Sequence, residues 1–214
     1  MKKAKIVILF LIAFAFLTAG CGVKIIPKTE QEGIIDAKHN IITKEKNGLR
    51  ITARSMDWRF DPYFLDEYFT PIFFIIKNDT DQKVAVSYKN FMAFDDQGNQ
   101  YNAIPPANVN DMLLAREYSP FYPYYPYYPY TETIIMREKE GTYTTFGLGI
   151  PFFYSYRRSF SNIALYALPE GEIHPHAQVR GFVYFTRADQ YGRELKIKLK
   201  IDGIEQEFEF ILKK

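Results

Sequence analysis

Cysteine, tryptophan and histidine are scarce in this sequence, with one, one and three copies respectively. A single cysteine cannot form a disulfide within the chain, so a fold that depends on disulfides is excluded. The patterns Gly-x-Ser-x-Gly and His-Glu-x-x-His are absent, as is a phosphate-binding glycine loop. These absences remove the sequence signals of common hydrolases, zinc peptidases and nucleotide-binding proteins. We predict no catalytic residue, no metal ligand set and no cofactor.

The N-terminus has the three parts of an export signal. Lysines occupy positions 2, 3 and 5, an uninterrupted apolar run covers 6–17, and small residues precede Cys21. The apolar run is shorter than the about 20 residues that a transmembrane helix needs. We therefore expect residues 1–20 to be a cleaved signal peptide.

The segment Thr18-Ala19-Gly20-Cys21 resembles the lipobox of bacterial lipoproteins, in which signal peptidase II cleaves before a cysteine that carries diacylglycerol. The resemblance covers residues 1–21, and Thr18 stands where leucine is usual. It implies that Cys21 is lipidated and that the chain binds a membrane through this lipid. Gly22, where an aspartate commonly retains lipoproteins at the inner membrane, favours the outer membrane over the outer face of the cytoplasmic membrane. The alternative is an ordinary secretory signal with a chance cysteine.

Removal of residues 1–20 changes the charge balance. Without the three leading lysines, the 27 basic residues fall to 24 against 25 acidic ones, a formal charge of −1. The remaining chain has no basic patch of the kind that nucleic acid requires. We predict no nucleic-acid partner.

Aromatic residues are abundant, with 17 Tyr and 19 Phe, and such residues favour half-buried pleated surfaces. Residues 21–40 show little periodicity and are predicted to be a flexible, lipidated tether. Strand patterns recur from residue 41 onward. Alternation covers 49–54, a continuous apolar run at 71–76 indicates a strand covered on both faces, and further strands are predicted near 84–88, 91–94, 100–103 and 178–186.

The C-terminal pattern predicts a hairpin in one register. Asp202-Gly203 favours a type I′ turn. Pairing across it places Lys196, Lys198 and Lys200 opposite Glu209, Glu207 and Glu205, and places Ile201, Ile197 and Leu195 opposite Ile204, Phe208 and Phe210. We call the six charged residues the charge ladder. It is interpreted as a solvated sheet face, with a docking strip as the alternative.

Short strands with little room for crossover helices predict an all-β fold, an antiparallel β-sandwich over 41–214. Short helical connections are expected at 108–117 and 159–168. The segments 74–80, 95–101, 169–171 and 181–185 resemble a broad set of uncharacterised immunoglobulin-like domains in bacterial lipoproteins. That resemblance implies an immunoglobulin-like sandwich and does not imply a function.

A Tyr/Pro-rich insertion covers 119–130. Proline recurs at every third position from Pro120 to Pro129, which matches the three-residue turn of polyproline II. Three functions remain open: a ligand for an aromatic-lined groove, a platform for stacking glycans or peptides, or rows that pack onto the domain. The candidate binding residues are Tyr122, Tyr124, Tyr125, Tyr127, Tyr128 and Tyr130.

The histidines and paired aspartates are weaker candidates. His174 and His176 flank Pro175, with Glu170 and Glu172 nearby, but the spacing does not form a recognisable metal-ligand set. The pairs Asp79/Asp81 and Asp95/Asp96 are interpreted as turn residues, with calcium binding as the alternative.

These observations predict a membrane-anchored extracytoplasmic lipoprotein that acts as a non-catalytic binding or envelope-assembly module. An envelope protein or a glycan is its possible partner, and the cell envelope its location. The alternative is an extracytoplasmic enzyme or metal-binding protein whose site is assembled from distant residues. A deep pocket that gathers His174, His176 and carboxylates would favour the alternative.

Overall fold

The computed structural model describes residues 23–117, 160–188 and 192–213. Its contacts divide the chain into one unit of residues 1–110 and 160–214 and a second unit of residues 111–159. Of the second unit, the described residues 111–117 form the last part of a helix. Cys21 and the six candidate tyrosines of 119–130 lie outside the described residues.

Twelve strands and two α-helices make up the described chain. The strands are β1 (Lys24–Pro27), β2 (Ile34–Asp36), β3 (Ile41–Lys46), β4 (Leu49–Ser55), β5 (Phe69–Asn78), β6 (Val84–Val86), β7 (Phe91–Asp95), β8 (Gln100–Ile104), β9 (Gly171–Ile173), β10 (Gln178–Thr186), β11 (Glu194–Ile201) and β12 (Ile204–Lys213). The helices are α1 (Pro106–Glu117) and α2 (Ser161–Leu165). Short 3-10 turns cover Leu65–Glu67 and Tyr88–Asn90. Among the described residues, no helix is long and apolar enough to cross a bilayer.

Ten strands form one antiparallel arrangement in the order β1-β12-β11-β7-β8-β10-β5-β4-β3-β2, and β6 pairs with β9. Strand β8 joins two layers, because 100–102 pair with β7 whereas 103–104 pair with β10. We call β1, β12, β11 and β7 the hairpin layer, and β10, β5, β4, β3 and β2 the covered layer. The prediction of an all-β antiparallel sandwich is confirmed.

The two layers face each other across one apolar core. Phe74 of β5 meets Phe91 and Phe208 of the hairpin layer, with ring centroids 5.0 and 6.0 Å apart. Alternation explains which side chains enter this core: Leu49, Ile51 and Ala53 are buried whereas Arg50 between them is exposed.

The C-terminal hairpin has the predicted register. Each of the six pairs expected across the turn occurs between β11 and β12. Asp202 and Gly203 both have positive φ, 46° and 78°, as a type I′ turn requires. A similar turn, Asn47-Gly48, joins β3 to β4 with φ of 51° and 75°.

The outer face of β5 and β10, within the covered layer, packs beneath aromatic side chains. Phe73 and Phe182 lie on this face with ring centroids 5.1 Å apart, and Trp58 packs over Phe182 at 5.2 Å. Phe60 stacks on Tyr166 at 3.8 Å. We call Trp58, Phe60, Phe73, Tyr166, Phe182 and Tyr184 the aromatic cover. The prediction that 71–76 forms a strand covered on both faces is confirmed.

The predicted tether over 21–40 is wrong for most of its length. Strand β1 pairs with β12 from Lys24↔Lys213 to Pro27↔Phe210, and β2 pairs with β3. The partly buried side chains of Val23 and Ile25 pack against the core. These short edge strands carry too few residues to show a period in the sequence, and pairing with an existing strand, rather than their own pattern, makes them extended. The body formed by the β-strands, which we call the β-body, therefore includes the described residues from 23 onward rather than starting at 41.

Candidate functional site

The two neighbouring histidines, His174 and His176, lie on the surface. His176 has a positive φ of 59° and its Nε2 lies 3.5 Å from Asp81 Oδ1. The backbone carbonyl of His174 accepts a hydrogen bond from Asn78 Nδ2 at 3.3 Å, which fixes the loop rather than the ring. Both histidine side chains are exposed, so the segment forms a surface turn.

The nearby glutamates are engaged elsewhere. Glu172 accepts a hydrogen bond from Lys83 Nζ at 2.8 Å, and this contact lowers the pKa of Glu172. Glu170 accepts hydrogen bonds from the Ser87 hydroxyl and from Tyr88 N. Both carboxylates are thus paired with basic or backbone groups of the 83–88 segment.

Of the aspartates in the two pairs, Asp95 holds a turn through its side chain. Asp95 accepts hydrogen bonds from Gln97 N, Asn99 N, Asn99 Nδ2 and the Tyr101 hydroxyl at 2.7–3.0 Å. Burial opposes the charged form of Asp95, but these donors outweigh burial and lower its pKa. Asp79 lies 2.6 Å from Lys77 Nζ. Across the described ranges, no group of three or more His, Cys, Asp or Glu side chains is placed to hold a metal ion.

The charge ladder is an exposed network of ion pairs. Lys198 Nζ lies 2.7 Å from Glu207 and 3.8 Å from Glu205, and Lys196 Nζ lies 3.3 Å from both Glu207 and Glu209. Lys28, which follows β1, joins this network, because its Nζ lies 3.3 Å from Glu209 Oε2. Each acid has a basic neighbour, so the face is balanced in charge.

An open cleft lies at one end of the sandwich, and sequence reasoning missed it. The start of β1, the end of β4 and the start of β5 line this cleft, together with residues 56–58, the 3-10 turn and Arg187; its volume is about 410 Å³. We call it the end cleft. The chain brings these segments together only because β1 pairs with β12 while β4 and β5 belong to the opposite layer.

Three contacts hold the walls of the end cleft. The indole nitrogen of Trp58 donates to the Pro62 carbonyl at 2.9 Å, which fixes the loop between β4 and β5. Arg187 Nη1 donates to the Glu67 carbonyl at 2.9 Å, and Ala188 N donates to Thr70 Oγ1 at 3.0 Å. The loop after β10 is thereby joined to the turn before β5.

The cleft is mixed in charge and acidic on balance. Burial raises the pKa of Asp66, and the neighbouring charges of Glu67 and Asp57 raise it further, whereas Arg187 opposes them. Lys24 adds a second cation at the rim. Among the described lining residues there is no histidine and no thiol, and the charged side chains are those of Lys24, Asp57, Asp66, Glu67 and Arg187. In the sequence, the acidic pair Asp66-Glu67 downstream of Trp58 is the available indication of this site. This pair belongs to no recognised motif.

No protein-family model matches this chain, and comparisons with curated proteins and with solved structures give no significant match.

Proposed function

We propose that this chain is an extracytoplasmic lipoprotein, anchored through lipid on Cys21, whose sandwich acts in binding or envelope assembly without a catalytic step. The observation that carries the proposal is the position of the first strand. Strand β1 begins at Lys24, three residues after Cys21. Cleavage before Cys21 would leave the described body intact and place its lipid directly beside it.

The sequence of the leader supports the same proposal. A basic start, a short apolar run and small residues precede the only cysteine of the chain. Each buried methylene contributes about 0.8 kcal/mol, so two or three acyl chains anchor a protein durably where one does not. The proposed location is the outer membrane or the outer face of the cytoplasmic membrane.

We also propose that the sandwich is immunoglobulin-like. The residue patterns at 74–80, 95–101, 169–171 and 181–185 support this finer assignment, and so does the two-layer antiparallel arrangement around them. Such domains serve as binding modules on many surfaces, but fold alone does not identify a partner.

The candidate contact is the Tyr/Pro-rich insertion at 119–130, and the candidate partner is an envelope protein or a glycan. Its support is compositional: tyrosine offers a large contact area with a polar tip, and proline at every third position stiffens the chain. The insertion follows helix α1 and precedes α2, so the strands of the β-body are continuous without it.

The test compares the full chain with a Cys21→Ser variant. Mass spectrometry of the N-terminal peptide is expected to show diacylglycerol on Cys21 and a new N-terminus at that residue in the unsubstituted chain. Cys21→Ser is expected to leave the leader uncleaved and the lipid absent. Unchanged processing and membrane association in the variant would refute the proposal.

The binding part is tested by crosslinking in intact cells, with and without residues 120–129. We expect a defined envelope component to crosslink to the full chain and to be lost on deletion. Equal capture by both chains would exclude the insertion as the contact.

A further inference from the structure

The N-terminal part of the described body is held against the sheet from Val23 onward. Lys28 N donates to the Glu209 carbonyl at 2.9 Å, and Gln31 Nε2 donates to the same carbonyl at 2.7 Å. Lys28 Nζ also lies 3.2 Å from Glu194. Strand β1 also pairs with β12, and Val23 packs on the core. Contacts therefore hold the segment 23–31 against the sheet.

The distance from the lipid to the body is correspondingly short. Two residues, Gly22 and Val23, separate Lys24 from Cys21, and an extended chain covers at most about 3.6 Å per residue. The start of β1 therefore lies within about 11 Å of the Cys21 backbone. A link this short limits how far the start of β1 can lie from the membrane.

The start of β1 also identifies which end of the sandwich is held. Val23, Lys24 and Ile25 line the end cleft together with Asp57 and Phe69. Strand β5 runs from Phe69 at this cleft to Asn78 at the other end, ten residues or about 30 Å away. Asp79 N donates to the Gly48 carbonyl at 2.8 Å, so the loop 79–82 and the 47–48 turn share that far end.

We propose that the link to Cys21 holds the end-cleft face of the sandwich against the lipid headgroups, with the 47–48 and 79–82 turns pointing away from the membrane. This inference rests on the proposed lipidation of Cys21. The chemistry of the face suits a headgroup layer, because Lys24 and Arg187 can meet phosphates while Asp57, Asp66 and Glu67 can meet ammonium groups. Tyr63, which is largely exposed in the loop between β4 and β5, adds an amphipathic ring of the kind enriched at membrane interfaces.

The test uses two matched positions at opposite ends. Asp57 and Asp81 are both loop aspartates with highly exposed side chains, 84% and 98%, and each has a basic side chain within 4 Å, Arg59 and His176 respectively. Asp57→Cys and Asp81→Cys variants are produced with the leader, and a fluorophore is attached to the new thiol. A lipidated Cys21 has no free thiol to react. The labelled proteins are placed in vesicles of phosphatidylethanolamine and phosphatidylglycerol that contain a headgroup-nitroxide lipid.

We expect the label at position 57 to be quenched at least about threefold more than the label at 81, because the two ends lie about 30 Å apart. Equal quenching, or stronger quenching at 81, would overturn the proposed orientation. If the mass of the N-terminal peptide lacks lipid, or the protein does not float with vesicles, the proposed function itself fails. The two failures are thus distinguishable.

A spacer variant tests the role of the short link. A flexible Gly/Ser segment inserted between Gly22 and Val23 should lower the quenching at position 57 toward that at 81. Emission from Trp58, the single tryptophan and a buried one, reports whether the body is still folded. A folded spacer variant with undiminished quenching would show that the link does not hold this face to the membrane.

Discussion

The outer faces of the two layers differ in what covers them. On the hairpin layer, the face of β11 and β12 carries the charge ladder and meets water. On the covered layer, the face of β5 and β10 lies under the aromatic cover. Strands β11 and β12 alternate apolar and charged residues, whereas β5 and β10 carry apolar residues on both faces over 71–76 and 182–185. The periodicity of a strand thus indicates whether one of its faces or both are buried.

The comparison predicts a large difference between two Phe→Ala substitutions. Phe182 is 2% exposed and contacts Trp58, Phe60, Phe73 and Tyr184. Phe182→Ala should lower the free energy of unfolding by about 3–5 kcal/mol, because it removes buried area and leaves a cavity. Phe94→Ala, on the outer face of the hairpin layer, should cost about 1 kcal/mol or less.

Urea unfolding of both variants measures this difference. Equal losses would mean that the aromatic cover contributes no more to stability than the exposed face does.

The second prediction concerns how closely the cover lies on its layer. A Cβ on Gly181 would stand 2.4 Å from the backbone of Ala167 and Leu168, where Phe182 N donates to the Tyr166 carbonyl. Gly181→Ala should therefore cost about 3 kcal/mol, since backbone must move. Gly98→Ala is the control: no atom lies within 4 Å, and only its φ of +86° is unfavourable, which costs roughly 1 kcal/mol.

Thermal unfolding of the two glycine variants checks the order. A Gly181→Ala protein as stable as Gly98→Ala would show that the segment 166–168 is free to shift away from β10.

A smaller effect is expected on the hairpin layer. Lys198 pairs with Glu207 and Glu205, and its Nζ lies 5.8 Å from the Phe94 ring centroid. Because exposed ion pairs are weak, Lys198→Ala should cost less than about 1 kcal/mol, and salt should reduce the cost further. Lys200→Ala, at an exposed ladder position, should change the unfolding midpoint least. A salt-independent loss for Lys198→Ala would indicate packing rather than charge.

The smallest effect concerns the pH dependence of stability, compared between Glu207 of the charge ladder and Asp66 of the end cleft. The hydrogen bond from Lys198 lowers the pKa of Glu207, so its stabilisation is present above about pH 4.3 and is lost as pH falls through the lowered pKa. Burial raises the pKa of Asp66, so stability is lost as pH rises from about 3.9 through the raised pKa. Glu207→Gln should be less stable than the unsubstituted chain at pH 7, and Asp66→Asn more stable.

Both differences should vanish in acid, below the lowest of these pKa values, where both carboxyl groups are neutral. Unfolding midpoints from pH 2 to 7 measure them, as an order-of-magnitude pH window. Shifts of the same sign for both variants would contradict the opposite pKa directions.

Much of the strand pattern was predictable because alternation and turn chemistry are local. Asp202-Gly203 and the residues beside it specify the hairpin register, and the apolar run at 71–76 specifies a strand with two covered faces. The end cleft was not predictable. It joins Lys24 of β1 to Asp57 and Asp66, which lie more than thirty positions away, and nothing near these aspartates indicates which strand will lie beside them.

Local sequence is enough to specify the strands with an apolar period, the two-residue turns and the charged face of the hairpin, since each depends on neighbours within a few residues. The position of 24–36 in the sheet and the assembly of the end cleft depend instead on contacts between residues far apart in the chain. Short edge strands have no period of their own, and they are extended because a neighbouring strand offers unpaired backbone groups. Residues 24–27 and 34–36, in the segment predicted to be a tether, are part of the sheet for that reason.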